Sequence, residues 1–545
     1  MNVSQLFVKA LENENVEYVF GVPGEENEDL LFALADSKIE FVPVRHEQGG
    51  AFMANMWGRL TGNAGVCLST LGPGATNLLT GVADAYLDHA PMVAITAQGG
   101  VNRLHHESHQ VIDIKKIMEP ITKWNGVIYD AHSISEIVKK AFFVATDDKP
   151  GPTHIELPED IAHKEIKQVV LPITASKILK PSISEEQLVT LKTKITLSKR
   201  PLILAGNGVI RGGASAALRK FAEQCNIPVT TTFMAKGVVS DKADYSLGAV
   251  GLGFKDYVLE AFESADLVIC IGYDIVEYEP HGWNKNADKY IIHIDTTTAS
   301  VHKEYAPSLQ VIADLHHALE SLTDAMKGIS FESYYIDIRD RLRKSKAAFK
   351  LQEGSDTFNV PGVLAEIREA MPADGIVISD VGSHKMWIAR NYPTYEPNTC
   401  IISNGLASMG ISLPGAISAD LLFPDRPVLA IMGDGGAMMN IQELATARKL
   451  NSSCIFLIFN DSDYGLISWK QERSKGSSVG TALVNPNFVK LAESFGINAY
   501  KPDTIDDLRE TLRETISNNE LAVIEVPIAT SVNQQLIKEL KDYFA

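Results

Sequence analysis

The sequence predicts an α/β protein made of three doubly wound parallel-sheet domains. Short apolar runs of strand length recur along the whole chain, and segments of helical periodicity separate them. Such an alternation indicates βαβ units and therefore parallel sheets. The 545 residues exceed what one hydrophobic core can organise and agree with about three domains of ordinary size.

Two segments interrupt the alternation and suggest domain boundaries. ITASKILKPSISEEQ is polar, contains proline and ends in a helix cap at Ser184, so it is predicted to be a linker. FESYYIDIRDRLRKSKAAFKLQEGSD is charged and helical in pattern, as expected for a connector. The predicted domains are therefore 1–175, 188–345 and 355–545. The first and third are predicted to be architectural relatives.

Each domain contributes several predicted strands. In chain order they are VEYVFGV, IEFVPV, AGVCLST, MVAIT and THIEL; then PLILAG, IPVTTT, ADLVICIG and KYIIHID; then GIVISDVGS, VLAIMGDGG, CIFLIFND and AVIEVPI. In the first domain, helices are predicted at SQLFVKALEN, in the GGAFMANMWG region and at ATNLLTGVADAYL.

Composition predicts a soluble cytoplasmic protein. The formal net charge of −18 argues against nucleic acid or an anionic membrane surface as a partner. The five cysteines are widely spaced, form no CxxC pair and mostly adjoin apolar runs, so buried reduced thiols are expected. The N-terminal segment lacks the pattern of a signal peptide, and no uncharged run is long enough to span a membrane.

Two aspartates follow predicted strands of the third domain. Asp434 ends VLAIMGD, and Asp461 follows CIFLIFN 27 residues later. Ligands collect at the carboxyl ends of parallel strands, and carboxylates beside small residues suit a hard cation such as Mg²⁺. Strand-end turns that use Asp and Gly only for their turn chemistry are the alternative interpretation.

A glutamate in the first domain is a second candidate. Glu47 follows the strand IEFVPV and precedes the apolar helical segment GGAFMANMWGRLTG. A carboxylate in this setting is a candidate for a partly desolvated acid. A surface carboxylate at a strand end is the alternative.

Three α/β domains, Glu47, and the GDG and ND phrases together resemble the pyruvate-oxidase-like thiamine diphosphate enzymes over the whole chain. Within them the sequence is most similar to acetolactate synthases of the catabolic, FAD-independent type. The phrases FGVPG, STLGPGATN, VEYEP with WN after it, DVGSHKMW and GLASMG carry this similarity. The resemblance implies pyrimidine-binding, central and diphosphate-binding domains in that order.

The resemblance assigns roles to particular residues. Glu47 would hydrogen-bond the aminopyrimidine ring, Gly405 would orient its amino group, and Met409 would hold the cofactor bent. Asp434, Asp461 and the backbone carbonyl of Asp463 would bind Mg²⁺. The other cofactor contacts implied are Thr70, Gly72, Pro73, Asn77, Val381, Ser383, His384, Gly435, Gly436 and Leu466. Active sites would form between the first domain of one subunit and the third of another, in a homodimer or homotetramer.

The implied reaction joins two molecules of the 2-oxo acid pyruvate, with loss of CO2, to give 2-acetolactate. Gln110 would orient the acceptor, and Leu466, Ile467 and Trp469 would line its pocket. The pair His105-His106 resembles pyruvate decarboxylase instead, so aldehyde release is the alternative, whereas His109-Gln110 favours the synthase. FAD is not expected, because the glycine pattern after PLILAG has Arg211 where a dinucleotide fingerprint needs glycine. An FAD-containing oxidase and a non-catalytic regulatory scaffold are further alternatives.

Overall fold

The structure, a computed structural model, describes residues 1–166, 173, 180–251, 257–347, 358–529 and 533. Within these residues lie three six-stranded sheets, and all pairs of neighbouring strands in them run parallel. The predicted α/β class is therefore confirmed. Parts of the predicted linker (174–179) and of the second connector (348–356) lie outside the described residues.

Sheet 1 is formed by the N-terminal part of the chain. Its strands are β1 (Tyr18–Gly21), β2 (Glu40–Pro43), β3 (Gly65–Ser69), β4 (Met92–Gln98), β5 (Trp124–Val127) and β6 (Pro152–Pro158). The helices of this part are α1 (Val3–Asn13), α2 (Glu28–Ala35), α3 (Glu47–Thr61), α4 (Pro73–Asn77), α5 (Leu79–Leu87), α6 (Ile114–Met118), α7 (Ile134–Thr146) and α8 (Glu159–Ala162). The spatial order of strands is β2-β1-β3-β4-β6-β5.

Sheet 2 follows. Its strands are β7 (Pro201–Ala205), β8 (Val229–Thr231), β9 (Ser246–Ala249), β10 (Leu267–Ile271), β11 (Tyr290–Asp295) and β12 (Leu309–Ile312). Its helices are α9 (Glu185–Leu197), α10 (Gly208–Arg211), α11 (Ser215–Cys225), α12 (Tyr257–Ser264), α13 (Leu315–Ala325) and α14 (Ile336–Ala347). The order β12-β11-β10-β7-β8-β9 is that of a Rossmann sheet, which is one of the doubly wound arrangements. Helix α9 begins at the predicted cap, Ser184, whose side chain accepts a hydrogen bond from the Gln187 amide.

Sheet 3 is formed by the C-terminal part. Its strands are β13 (Ile376–Ser379), β14 (Cys400–Ile402), β15 (Val428–Gly433), β16 (Ile455–Asn460), β17 (Asn498–Tyr500) and β18 (Ala522–Pro527). Its helices are α15 (Val360–Ala370), α16 (Ser383–Asn391), α17 (Ser412–Leu422), α18 (Asp434–Asn440), α19 (Leu444–Lys449), α20 (Gly465–Lys475), α21 (Phe488–Ser494) and α22 (Ile505–Ser517). The order β14-β13-β15-β16-β18-β17 repeats that of sheet 1, which confirms the predicted kinship of the first and third domains.

The chain divides into two compact units. Unit 1 comprises Met1–Ile178, Gly405–Pro424 and Met438–Ser452, and unit 2 comprises Leu179–Asn404, Asp425–Ala437 and Ser453–Ala545. Helices α17 and α19 therefore belong to unit 1 together with sheet 1, although they connect strands of sheet 3. In unit 1, α17 packs on α3, and the Ser418 hydroxyl donates a hydrogen bond to the Met53 carbonyl at 2.8 Å. The boundaries 1–175, 188–345 and 355–545 stay a prediction.

The sequence did not reveal five of the strands, namely β5, β9, β12, β14 and β17. Each lies at an edge of its sheet. All five cysteines are buried free thiols, as predicted. Among the residues that the structure describes, no helix combines the length and apolarity needed to cross a membrane.

At the centre of sheet 2, the connections that follow β7 and β10 approach each other so closely that Gly206, Gly208 and Gly272 have no room for a Cβ. Gly272 has a φ of +57°, and a Cβ there would lie 2.5 Å from the Val209 nitrogen. Gly213 has a similar φ of +63°, but a Cβ there would meet nothing within 4 Å. The two glycines share the backbone strain and differ in the space around them.

We expect Gly272→Ala to destabilise unit 2 more than Gly213→Ala does. Both variants place alanine in a left-handed conformation, which costs about 1–2 kcal/mol. The forced contact at residue 272 should add about 1–3 kcal/mol to the loss in free energy of unfolding. Chemical denaturation of the two variants measures the difference, and equal losses would contradict the close approach of these two connections.

Candidate functional site

Glu47 is the first residue of α3, where the helix leaves the carboxyl edge of sheet 1. The His46 side chain caps this helix by accepting a hydrogen bond from the Gln48 amide at 3.2 Å. The Glu47 side chain is buried, and its Oε2 accepts a hydrogen bond from Asn77 Nδ2 at 2.9 Å. The alternative of an exposed strand-end carboxylate is therefore wrong.

The glycine-rich turn after β3 forms the surroundings of Glu47. Gly72 has φ 51° and ψ −112°, a backbone conformation that residues with a Cβ rarely adopt. Pro73 then begins α4, and Asn77 ends it. A Cβ on Gly74 would lie 3.2 Å from Glu47 Oε1, so the glycine leaves this oxygen accessible beside the turn. Thr70 donates its hydroxyl hydrogen to Glu26 Oε2 at 2.7 Å, which places Glu26 in the same corner.

The loop that carries Gln110 lies against this turn. A Cβ on Gly72 would lie 2.7 Å from the Gln110 carbonyl oxygen, so the two backbones are adjacent. The Gln110 side chain itself is exposed. His105 and His106 are exposed as well, and their rings approach at 3.1 Å between His105 Nε2 and His106 Nδ1. The structure thus brings Gln110 to the glycine-rich turn beside Glu47 and shows the two histidines as a pair on the surface of the loop.

Gly405 and Met409 belong to unit 1 but lie at the other end of α3. The Gly405 amide donates to Asp88 Oδ1, and the Ser408 amide donates to Asp84 Oδ2 at 3.4 Å. Both aspartates form ion pairs with Arg59, and all three side chains are buried. Arg59 comes twelve residues after Glu47 on α3, which corresponds to about 18 Å along the helix axis. One chain therefore holds Glu47 and Gly405 far apart.

The predicted metal ligands come together at the carboxyl edge of sheet 3, in unit 2. Asp434 follows β15, and its Oδ1 accepts a hydrogen bond from the Gly435 amide at 2.9 Å. Asp461 follows β16, and its Oδ1 accepts one from the Asp463 amide at 3.3 Å. Burial raises the pKa of Asp434, and burial followed by the charge of Asp434 raises the pKa of Asp461 to about 7. Desolvation and the repulsion between two neighbouring carboxylates explain these shifts.

An amide that sequence reasoning missed also holds the first aspartate. Asn485 Nδ2 donates to Asp434 Oδ2 at 2.5 Å and to Asn460 Oδ1 at 3.0 Å. Within the part of the chain that the structure describes, no group of three or more His, Cys, Asp or Glu residues could hold a metal ion. The predicted set, with two carboxylates and one backbone carbonyl, leaves positions for oxygens of a ligand.

The predicted diphosphate contacts lie beside these aspartates. Val381 precedes α16, and Ser383 and His384 begin it. A Cβ on Gly465 would lie 2.7 Å from Asp461 Oδ2 and 3.8 Å from Ser383 Oγ, so α16 and α20 start close together. Leu466 is the second residue of α20.

His384 is a buried neutral histidine with one unused ring nitrogen. Burial lowers its pKa to about 4, although a hydrogen bond with the Asp380 backbone opposes this shift. Its Nε2 is buried and has no hydrogen-bond partner. The ring lies against the backbone that leads to Asp434, since a Cβ on Gly433 would be 3.5 Å from its Cε1. A bound anion at this edge would favour protonation of the ring, and the unpartnered Nε2 would then donate a hydrogen bond to it.

The glycines after Asp434 pack against protein groups. A Cβ on Gly435 would lie 2.6 Å from the Tyr464 ring, and one on Gly436 would lie 2.7 Å from Asp380 Oδ1. The family resemblance implies that these glycines let a diphosphate approach, and in the structure they leave room for the Tyr464 ring and the Asp380 carboxylate. Their contact with a diphosphate stays a prediction.

Family comparison defines the class of protein. Models described as the N-terminal TPP binding domain, the central domain and the C-terminal TPP binding domain of thiamine pyrophosphate enzymes match residues 1–117, 190–322 and 380–526. The three matches follow the order of the three sheets. Thiamine diphosphate is thus the cofactor that this fold serves.

Whole-chain comparison narrows the class. The chain is 33% identical to an acetolactate synthase of Bacillus subtilis, over 98% of this chain and 95% of that protein. It is 34% identical to a probable acetolactate synthase large subunit of Methanocaldococcus jannaschii, over 97% and 92% of the two chains. It is 32% identical to an acetolactate synthase large subunit of Lactococcus lactis, again over 97% and 92%. The chain therefore belongs to the acetolactate synthase family of thiamine diphosphate enzymes.

The raised pKa of Asp461 predicts that divalent cations bind in competition with a proton. Below pH 7 the metal-free carboxyl group holds a proton that the cation must displace, so affinity should fall by about tenfold per pH unit. Mn²⁺ titration followed by electron paramagnetic resonance between pH 5 and pH 8 measures this. Asp461→Asn should remove tight binding, and the exposed Asp425→Asn should leave the profile unchanged. Equal affinity at pH 6 and pH 8 would contradict the prediction.

Proposed function

We propose that this chain joins two pyruvate molecules to give 2-acetolactate and CO2. The observation that carries the proposal is the buried Glu47 with its Asn77 hydrogen bond, in a chain that aligns from end to end with acetolactate synthases. A non-catalytic scaffold would not require both such a carboxylate and the pair Asp434 and Asp461. Carboligation requires that donor and acceptor be held together, which converts a bimolecular step into an effectively unimolecular one.

The residues present fit thiamine diphosphate with Mg²⁺. His384 Nε2, buried without a partner, is available to a diphosphate oxygen, as are the amides at the start of α16. Asp434, Asp461 and the Asp463 carbonyl supply oxygen ligands of the kind that Mg²⁺ prefers. When bound, the cofactor supplies an electron sink for the decarboxylation of a 2-oxo acid.

The protein provides the proton chemistry and the orientation. Glu47, held by Asn77 and buried, is positioned to share a proton with a ring nitrogen of the aminopyrimidine. Gln110, next to the Gly72 turn, is assigned to the carboxylate of the acceptor. Thr70, Gly72 and Pro73 would line the pyrimidine side. Leu466, Ile467 and Trp469, at the start of α20, are assigned to the acceptor pocket, whose size would discriminate between acceptors by only about 1–3 kcal/mol per methylene.

We propose further that the working enzyme is a homodimer, or a tetramer built from dimers, with each site formed by two chains. Glu47 and Gly405 would have to contact one aminopyrimidine ring, yet one chain holds them at opposite ends of α3. Glu47 of one subunit must then act with Gly405 and Met409 of another. Several relatives are named large subunits, which agrees with oligomeric assembly.

Exposed apolar side chains near the Met409 loop and near the predicted metal ligands support this assembly. In unit 1, Leu406, Met438 and Met439 are between 38% and 43% exposed around the Met409 loop. In unit 2, Ile467 is 48% exposed and Val484, next to Asn485, is fully exposed. A second copy of the chain would cover these apolar side chains.

FAD is not part of the proposal. In sheet 2 the strand order reverses between β7 and β10, which is where a dinucleotide would bind. A Cβ on Gly206 would lie 2.3 Å from the Gly272 carbonyl oxygen, so the connections after these two strands pack directly on each other. The glycine pattern after β7 has Arg211 where a dinucleotide fingerprint needs glycine. We also expect the protein to work in the cytoplasm, where its five buried thiols stay reduced.

A product assay tests the proposed reaction. Purified protein receives pyruvate, thiamine diphosphate and Mg²⁺, and acetolactate (as acetoin after acid treatment) and acetaldehyde are quantified separately. We expect mainly acetolactate. Mainly acetaldehyde would contradict carboligation and would favour the decarboxylase alternative with His105 and His106 as proton donors.

The same assay applied to Glu47→Gln tests the role of the glutamate. Loss of a positioned proton donor should lower turnover by about 10²- to 10⁴-fold. Cofactor binding, measured by quenching of tryptophan fluorescence, should persist, because the diphosphate and metal contacts lie in unit 2. Near-normal turnover of this variant would contradict the assignment.

A further inference from the structure

Glu443 carries a buried carboxylate that the proposed chemistry does not use. The residue is 0% exposed and lies in unit 1, just before α19. Its Oε1 accepts hydrogen bonds from the amides of His46 at 3.0 Å and Arg45 at 3.1 Å. Its Oε2 accepts from the Arg45 amide at 3.2 Å and from the Thr446 hydroxyl at 2.5 Å. The carboxylate thus binds the two residues that directly precede Glu47.

The sequence of α3 is adapted to this carboxylate. Gly49 lies in the first turn, where alanine would favour the helix by about 1 kcal/mol. A Cβ at this position would lie 2.6 Å from Glu443 Oε1 and 2.8 Å from Glu443 Cδ, distances that Cβ atoms essentially never show. Gly49 therefore provides the space in which the Glu443 carboxylate reaches the backbone before α3.

Local interactions compensate for the burial of this charge. Burial raises the pKa of Glu443, and the hydrogen bonds from Thr446, Arg45 and His46 oppose the shift. The positive end of the α3 dipole lies at the same place and favours an anion. A buried carboxylate that accepts this many hydrogen bonds holds the backbone in place, because loss of the acceptor would leave buried amides without a partner.

We propose that Glu443 is a positioning residue for Glu47. It fixes the chain where α3 begins, while Asn77 fixes the Glu47 carboxylate itself, so the direction of the acid depends on both contacts. The proposal rests on the proposed role of Glu47 and adds a residue 397 positions from His46 along the chain. A shift of about 1 Å in a catalytic group can lower the rate about 100-fold. A contact that fixes the backbone next to Glu47 should therefore affect the reaction rate.

Two variants disturb the contact between Glu443 and the backbone before α3 in independent ways. Glu443→Gln keeps the shape of the side chain but turns an N–H group toward the backbone amides of Arg45 or His46. Gly49→Ala keeps Glu443 and pushes its carboxylate away. The control is Asp420→Asn, which neutralises another buried carboxylate of unit 1 that contacts Ser452.

The readout is deuterium exchange at C2 of bound thiamine diphosphate, measured by acid quench and NMR at saturating cofactor. Cofactor affinity and thermal stability are measured in parallel. We expect Glu443→Gln and Gly49→Ala to slow exchange per bound cofactor by about 10- to 100-fold, with little change in cofactor affinity. Asp420→Asn should exchange at the wild-type rate.

Unchanged exchange in folded Gly49→Ala, or in folded Glu443→Gln, would overturn the proposal, because a merely structural Glu443 would lower stability and leave exchange per bound cofactor intact. If the wild-type protein itself neither binds the cofactor nor accelerates its exchange, the proposed function fails instead. The two failures are therefore distinguishable.

Discussion

The burial of helix α3 is the constraint on which the candidate site depends. Twelve of its fifteen residues are buried, as is the side chain of Arg59, and an apolar surface on every side is typical of a helix enclosed by other elements. Three glycines lie inside the helix and weaken its intrinsic propensity. Packing against sheet 1, α5 and α17 therefore stabilises the helix, and its position fixes Glu47 at one end and the Arg59 ion pairs at the other.

The same helix explains why the predicted cofactor contacts fall into separate groups. Glu47, Asn77 and the Gly72 turn lie at its start, and Gly405 is held near its end by Asp88. The metal and diphosphate group is built independently at the edge of sheet 3. Parallel sheets with identical strand order thus supply both kinds of contact, each from residues that follow the carboxyl ends of strands, as expected for this class of fold. Glu47 follows the edge strand β2, whereas Asp434 and Asp461 follow the central strands β15 and β16.

Sequence pattern predicted the central strands of the three sheets but not most of the edge strands. Central strands are buried on both faces, and their continuous apolar runs, such as CIFLIF, are easily recognised. Edge strands such as Trp124–Val127 and Asn498–Tyr500 are short and partly exposed, so their sequences do not stand out from loops. Pairing with a neighbour distant in sequence, rather than local pattern, makes them strands.

The same distinction holds for the site. Asp434, Asp461 and Glu47 could be predicted because each lies within four residues of the end of a recognisable strand. Asn485 and Glu443 could not, since their partners lie 51 and 397 residues away and no local pattern marks them. The buried ion pairs of Arg59 were hidden for the same reason, because Asp84 in α5 and Asp88 just after it resemble ordinary acidic residues of a helix surface.

Subunit complementation tests the central claim most directly, namely that one chain supplies Glu47 and another supplies the metal group and Met409. Glu47→Gln and Asp434→Asn chains, each inactive alone, are co-expressed with different tags, and mixed dimers are assayed for acetolactate. A two-chain site gives every mixed dimer one intact site, so an equal random mixture should recover about a quarter of wild-type activity. No recovery in verified mixed dimers would contradict the account and would place each complete site within a single chain.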